Sequence, residues 1–344
     1  MRILLVTQMW PSPEEPDLGS FLVPLTKAFE EQGHEVVVAA ISRRGGAQTK
    51  YLRLIREAVG AARRNRPDVV FAHFLFPAGY AGLRATRSAK VPLVVMAHGQ
   101  DVANLGRIPG VTAITRRIVK RSAGVIANSR WLAERLAERV PAATGKTEVA
   151  DCGVDMDAFS PRDAAQVRRM LGWEGERPAL LCVGSLIERK NVTRIADAFE
   201  SLGRGRLAFV GDGPLRSELE GRPGVRVVGR IPQAEVPQWL AACDVLCQPS
   251  LIEPFGQAAL EAMAMERSVV ATTVGGPPEF VTPEAGVLVD PGDTAALAGA
   301  LERAAKLPTP NPSARTAAAE HDVRRQAARM AAVLEGAIAQ AERD

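Results

Sequence analysis

Short apolar runs alternate with amphipathic stretches along most of this chain. Ile3–Thr7 is one continuous apolar run, the pattern of a strand covered on both faces. A proline-rich loop from Pro11 to Asp17 follows and closes at Gly19-Ser20. Phe21–Gln32 places Leu22, Leu25, Ala28 and Phe29 at helical spacing, Gly33 caps it, and Glu35–Ala40 is the next strand. Strand, loop, helix and strand make a β-α-β unit. The unit repeats: a basic amphipathic helix over 49–64, strands at Val69–His73 and Leu93–His98 around a helix at Ala78–Ser88, and a helical run Arg116–Ser122 before the strand Val125–Asn128. A helix at Trp131–Val140 and a strand at Glu148–Asp151 close this half.

Gly153–Pro161 breaks the pattern, and the domain joint is placed just after it. Strands resume at Leu180–Val183, Arg206–Val210, Val225–Val228, Val245–Cys247, Val269–Thr272 and Val287–Val289, with helices between them. The expected class is α/β, with doubly wound, Rossmann-like domains at 1–160 and 161–321 facing a central cleft. Such sheets bind ligands at the carboxyl ends of their strands. Thr294–Ala305 reads as a helix and Leu307–Pro312, with three prolines, as a loop. Residues 322–344 read as a long helix whose stripe of Val323, Ala327, Met330, Ala331 and Leu334 is expected to pack back on the first domain.

A length of 344 residues with 24% charged and 47% hydrophobic side chains suits a globular chain of two domains. The net charge of +4 is too small to name nucleic acid as a partner. Basic side chains do gather locally: Lys50, Arg53, Arg56, Arg63, Arg64 and Arg66 on one expected helix, and Arg116, Arg117, Lys120 and Arg121 on another. A solvated face explains them, and so does peripheral contact with an anionic membrane. Four cysteines (Cys152, Cys182, Cys243 and Cys247) are too few for a disulfide framework and lack zinc-ligand spacing, so buried, reduced thiols are expected. With no leader-like N-terminus and no run of 18 apolar residues, the expected location is cytoplasmic.

The most informative stretch runs from Gln248 to Glu279. Glu253 and Glu261 stand eight residues apart, and Pro254 and Gly256 precede the strong helix formers from Gln257 to Met265. Eight residues are about 2.2 helical turns, so Glu261 can share a face with the helix mouth. That mouth suits an anion, and carboxylates beside it suit hydroxyls. The pattern points to a sugar joined to a phosphate, although an acidic residue near a helix start can also be a plain dipole complement.

Other loops at strand ends carry candidates. Gly19 allows a phosphate close to the backbone, and no G-x-G-x-x-G follows it, which disfavours a dinucleotide. His98 and Asp101 follow the fourth strand. Ser185, Arg189 and Lys190 lie in the first loop of the second half, where a lysine can meet a phosphate as a point charge. Gly211-Asp212-Gly213-Pro214 is a tight turn whose role can be turn chemistry alone. Gly145-Lys146-Thr147 lacks the first glycine of a P-loop, since Val140 stands there. Asp155-Met156-Asp157 has the D-x-D form of some metal-dependent sugar transferases but sits at the joint. No metal site is expected.

Together these residues resemble the retaining glycosyltransferases of family four, which have the two-domain GT-B fold, in the flavour that acts on cell-surface polysaccharides or glycoconjugates. The resemblance runs nearly end to end. Its most specific part is Pro249-Ser250-x-x-Glu253-Pro254-Phe255-Gly256, through Glu261-Ala262-Met263-Ala264, to Gly275-Gly276-x-x-Glu279; Ala97-His98-Gly99-x-Asp101 and Val210-Gly211-Asp212-Gly213-Pro214 support it. The resemblance implies a hexosyltransferase that needs no cofactor or metal. Its donor is a UDP- or GDP-linked sugar, and its acceptor a glycan, a lipid-linked sugar or a small molecule. It assigns the acceptor to 1–160 and the donor to 161–321. Glu253 would hold hydroxyls of the transferred sugar and Glu261 those of the ribose. Backbone amides around Phe255–Gln257, beside Pro254 and Gly256, would touch sugar and phosphate. Lys190 would bind the diphosphate with Gly19 closing over it, His98 would lie beside the sugar, Asp101 would be on the acceptor side, and Arg230-Ile231 would line the base pocket. Two positions depart from the family: Ser185 stands where an arginine is usual and Asn191 where a glycine is usual. A nucleotide-sugar 2-epimerase and a non-catalytic binding subunit are the alternative expectations.

Overall fold

The computed structural model describes residues 1–45 and 49–343. They form two compact units, one of residues 1–153 with 323–343 and one of Val154–Asp322.

In the first unit β1 (Arg2–Thr7), β2 (Glu35–Ala40), β3 (Val69–His73), β4 (Leu93–Ala97), β5 (Gly124–Ala127) and β6 (Thr147–Val149) form one sheet in the order β2-β1-β3-β4-β5-β6. Every pairing is parallel. The inner strands β1, β3, β4 and β5 are nearly continuous buried apolar runs because helices cover both faces, whereas the edge strands β2 and β6 are more exposed. Leu4, Val6, Val70, Ala72 and Val95 meet the helices Thr49–Asn65 and Ala78–Ala89 through Leu54, Ala58 and Ala81. Ile3, Phe71, Val94 and Met96 meet Leu25 and Phe29 on one side helix and Met330 and Leu334 on another, Val323–Ala341. A fully buried Leu, Ile or Phe contributes about 1.5–3 kcal/mol, so this last helix is integral to the first unit.

In the second unit β7 (Ala179–Val183), β8 (Arg206–Val210), β9 (Val225–Gly229), β10 (Val245–Gln248), β11 (Ser268–Thr272) and β12 (Gly286–Val289) form a sheet in the order β12-β11-β10-β7-β8-β9, again parallel throughout. The strand order reverses between β10 and β7. Asp244, just before β10, anchors that seam: its buried carboxylate accepts from Arg168, Arg177 and the Ala179 backbone at 2.6–3.0 Å.

Three boundaries differ from the expectation. Residues 154–160 belong to the second unit, not the first, because the Val154 N–H bonds His321 O at 2.9 Å and Phe159 is buried against that unit's core. Pro312 does not end a loop. It opens the helix Pro312–Ala319, where a missing N–H costs nothing, and Asn311 caps it by accepting from Ala314 N at 3.3 Å. Arg66 lies just past the helix Thr49–Asn65, in left-handed backbone at φ 46°, not on it.

Candidate active site

The second unit gathers its chemistry at the carboxyl ends of β7 and β10, on either side of the reversal in strand order, where open parallel sheets place ligands. Lys190 comes from the loop after β7 and Glu253 from the loop after β10. Lys190 Nζ donates to Glu253 Oε2 at 2.6 Å, and Ser250 Oγ donates to the same oxygen at 2.9 Å. Glu253 is buried. Burial by itself would raise its pKa; the Lys190 ammonium outweighs that, helped by Arg189 and Ser250, and the carboxyl stays below its usual range.

Backbone fixes this carboxylate in place. The Glu253 N–H donates to Val274 O at 3.0 Å, and Gly276 N–H donates to Glu253 O at 2.9 Å. The approach is so close that a Cβ on Gly275, whose φ is +126°, would fall 1.9 Å from Glu253 O. Gly276 is similarly confined by Pro254 and Phe255 backbone at 2.8 Å. These glycines are therefore the mould for the Glu253 loop.

Gly256 (φ +114°) opens the helix Gln257–Ala264 against Phe280 and Pro277, and Gln248 caps it by accepting from Ala259 N at 3.1 Å. Glu261 is on the second turn of that helix and buried. Burial pushes its carboxyl up to about 8, against a hydrogen bond with Gln257, so it holds its proton at neutral pH.

Asn191 explains the departure from glycine. It has left-handed backbone, φ 61° and ψ 28°, which asparagine tolerates better than most residues. Its buried amide donates to Pro249 O at 3.0 Å and Pro291 O at 2.9 Å, tying the loop after β7 to those after β10 and β12. Arg189 is exposed, and its Nη1 donates to Ile252 O at 3.1 Å. Ser185 is exposed in the same loop. Arg230 and Ile231 follow the end of β9, Arg230 exposed and Ile231 half-buried. Gly211 and Gly213 serve backbone packing: a Cβ on either would collide with Gly184 O at 1.9 Å or Leu186 O at 2.4 Å.

In the first unit, His98 follows β4 and its Nε2 lies 3.0 Å from Nδ1 of His73, the last residue of β3. Burial pushes the His98 imidazole down to about 3 and holds His73 well below its usual value. Asp101, the acceptor-side candidate, has its carboxylate engaged by backbone. It is buried, and its carboxylate accepts from Leu75, His98, Gly99 and Val102 backbone N–H groups at 2.9–3.1 Å, which joins the loops after β3 and β4. Gly19 has a structural reason of its own: a Cβ there would lie 2.5 Å from Met9 O.

The remaining motifs resolve into local structure. Lys146 donates to Val119 O and Ser122 O, capping the helix Val111–Arg121. Asp155 Oδ1 accepts from Asp157 N and Ala158 N at 3.0 Å, an Asx turn. All four cysteines are buried and free.

Ser250, Gln248 and His73 contribute to the geometry of the candidate site but are not among the candidates the sequence singles out. Each is a polar residue closing or following an apolar strand, and that break in the pattern was the available signal.

A profile described as "Glycosyltransferase Family 4" matches residues 18–158, and one described as "Glycosyl transferases group 1" matches 177–306. The 2-deoxystreptamine glucosyltransferase of Streptomyces kanamyceticus is 30% identical over 283 residues, 74% of this chain and 73% of that one. This chain belongs to glycosyltransferase family 4. It is also 30% identical over 241 residues to the Bacillus subtilis protein TuaC, whose name assigns it as a glycosyltransferase of teichuronic acid biosynthesis. That match covers 69% of this chain and 61% of TuaC, so this family 4 chain aligns with somewhat under two thirds of TuaC's length. Among solved structures, Anabaena HepE in complex with UDP-glucose has a TM-score of 0.77 at 22% identity, covering 98% of this chain and 100% of that one. That likeness gives the family 4 member its fold, two Rossmann-like units of the GT-B class.

Proposed function

We propose that this chain transfers a hexosyl unit from a nucleoside-diphosphate sugar to an acceptor hydroxyl, with retained anomeric configuration and without a metal ion. The observation that carries the reading is the Lys190–Glu253 pair beside the mouth of the helix Gln257–Ala264, at the reversal of strand order. Bond breaking leaves a cationic sugar and a diphosphate gaining negative charge. Lys190 and the N–H groups at the helix mouth stabilise that charge, and removing one such stabiliser typically costs roughly 100–1,000-fold in rate. Glu253, held ionised, accepts from sugar hydroxyls. Glu261 meets the ribose, and Arg230 and Ile231 flank the base. HepE, as solved with UDP-glucose, and the relatives named as glycosyltransferases support a donor of this type. TuaC supports a polysaccharide or glycoconjugate acceptor.

A thermal-shift screen of nucleoside diphosphates and their sugars tests the donor, since a ligand at 100 times its Kd adds about 2.7 kcal/mol. Stabilisation by UDP- or GDP-sugars, followed by turnover in excess chelator, is expected. No stabilisation by any of them would overturn the reading. The relatives named as glycosyltransferases do not favour binding without turnover, the reading that Ser185 in place of the family arginine suggests; a bound donor that no acceptor panel consumes would be its signature.

The first unit also presents a basic face. Arg53, Arg56, Arg63 and Arg64 on Thr49–Asn65, and Arg116, Arg117, Lys120 and Arg121 on Val111–Arg121, are exposed. Leu52, on the first of these helices, and Ile108, in the turn before the second, are exposed apolar residues at 58% and 47% exposure. Among the described residues no helix is long and apolar enough to cross a membrane. The face suits peripheral contact, with each cation near an anionic surface contributing about 1 kcal/mol. Flotation with phosphatidylglycerol vesicles, lost in high salt and in a Leu52→Ser/Ile108→Ser variant, is the expected result.

A further inference from the structure

His73 and His98 form a pair of neutral imidazoles with one hydrogen bond between them. Their rings lie 5.2 Å apart at 31°, with Phe71 4.4 Å from His73 and Phe74 4.4 Å from His98. Burial disfavours the charged form of both rings. One nitrogen of the 3.0 Å contact must donate and the other accept.

The two arrangements differ at a third atom. His73 Nε2 is buried and has no hydrogen-bond partner among the described residues. If His98 Nε2 donated, neutral His73 would carry its proton on Nε2, burying an N–H with nothing to receive it. Buried orphan N–H groups are rarer than under-satisfied acceptors. If His73 Nδ1 donates, Nε2 is a bare lone pair. The third polar group nearby, Cys152, has its sulfur within 4.8 Å of a nitrogen of each ring, and burial keeps it a neutral thiol, only a weak donor and a weak acceptor.

We infer that His73 is a positioning residue that donates from Nδ1 to His98 Nε2 and so locks His98 in the Nδ1–H tautomer. The free ring position of His98 is then a hydrogen-bond donor, suited to a substrate oxygen. The functional half of this statement rests on the proposed sugar-transfer role of His98; the tautomer itself does not.

The chain has four histidines, so the ring nitrogens of the intact protein can be assigned by 15N-edited NMR. The expected spectrum shows His98 protonated at Nδ1 and bare at Nε2. His73→Phe, which cannot donate, moves His98 toward the Nε2–H form, and His73→Asn, whose amide N–H can replace Nδ1–H, restores the original signature. On the sugar-transfer reading, kcat falls about 10-fold or more in His73→Phe and recovers in His73→Asn, with donor KM little changed. An Nε2–H tautomer in the unaltered protein would overturn the inference. So would an unchanged His98 tautomer in folded His73→Phe. Stoichiometric Co2+ binding with a thiolate charge-transfer band lost in Cys152→Ser would also overturn it, by making these residues ligands. If no sugar is transferred by any variant while the NMR signatures hold, the sugar-transfer reading fails and the tautomer lock stands.

Discussion

Lys190 donates to Glu253 across 2.6 Å, and both side chains are largely out of water, 16% and 9% exposed. Lys190 is therefore the counter-ion of a buried carboxylate and, on the proposed reading, also the group that meets the diphosphate. Taking away one member of such a pair costs about 3–5 kcal/mol, because the other is left charged and unpaired. Lys190→Ala should lower stability by that order and, on the sugar-transfer reading, cut turnover roughly 100–1,000-fold. Lys190→Met with Glu253→Gln should recover most of the stability and none of the activity. Urea unfolding of the two variants checks this, and equal stability of Lys190→Ala and the original protein would show that the pair contributes nothing.

Ser185→Arg should restore a second cation to the loop that carries Lys190. A charge-assisted hydrogen bond is worth about 1.5–3 kcal/mol, so nucleoside diphosphate affinity should rise at least tenfold. Calorimetric titration reads this directly, and unchanged affinity would mean that position 185 does not face the diphosphate.

Glu261 makes stability depend on pH in a definite direction. Its folded pKa, raised by burial to about 8, lies above the ordinary glutamate value. The stability of the protonated carboxyl is complete below about 4.5 and is lost progressively as pH rises toward 8, by about 1.4 kcal/mol per unit. Glu261→Gln should therefore gain in Tm relative to the original protein across that interval and level off above it. If Glu261 binds ribose hydroxyls as a carboxylate, nucleotide binding at pH 7 should release a proton. Calorimetry in buffers of differing ionisation enthalpy measures that release.

Gly275→Ala should unfold the Glu253 loop, because the new Cβ would lie 1.9 Å from a backbone oxygen that has no room to move. Gly221 has a left-handed φ of +81° but nothing within 4 Å of an added Cβ, and Gly221→Ala should show only the backbone cost of about 1–2 kcal/mol. Comparing the denaturation midpoints separates collision from strain.

The doubly wound sheets were legible because most strands are short apolar runs, the edge strands β6 and β9 with Glu148 and Arg226 being the exceptions, and the longer connecting helices show their own period. The run from Pro249 to Glu279 was legible as a candidate site because its carboxylates, proline and glycines have few other reasons to occur together. What escaped depended on partners distant in sequence. Asp101 looked available for an acceptor until four backbone N–H groups from two loops closed on it. The helix Pro312–Ala319 was hidden by prolines that suit a loop equally well. His73 read as the end of a strand, since its meaning lies in a contact with His98, 25 positions away.

Because Val323–Ala341 completes the first core, that half of the molecule is interrupted in sequence by the whole of the other. During synthesis the opening 153 residues must wait, with Phe29 and Phe71 short of their cover, until the ribosome has made everything up to the last helix. A fragment cut after Gly153 should accordingly aggregate unless 323–344 is supplied in trans or grafted on by a short linker.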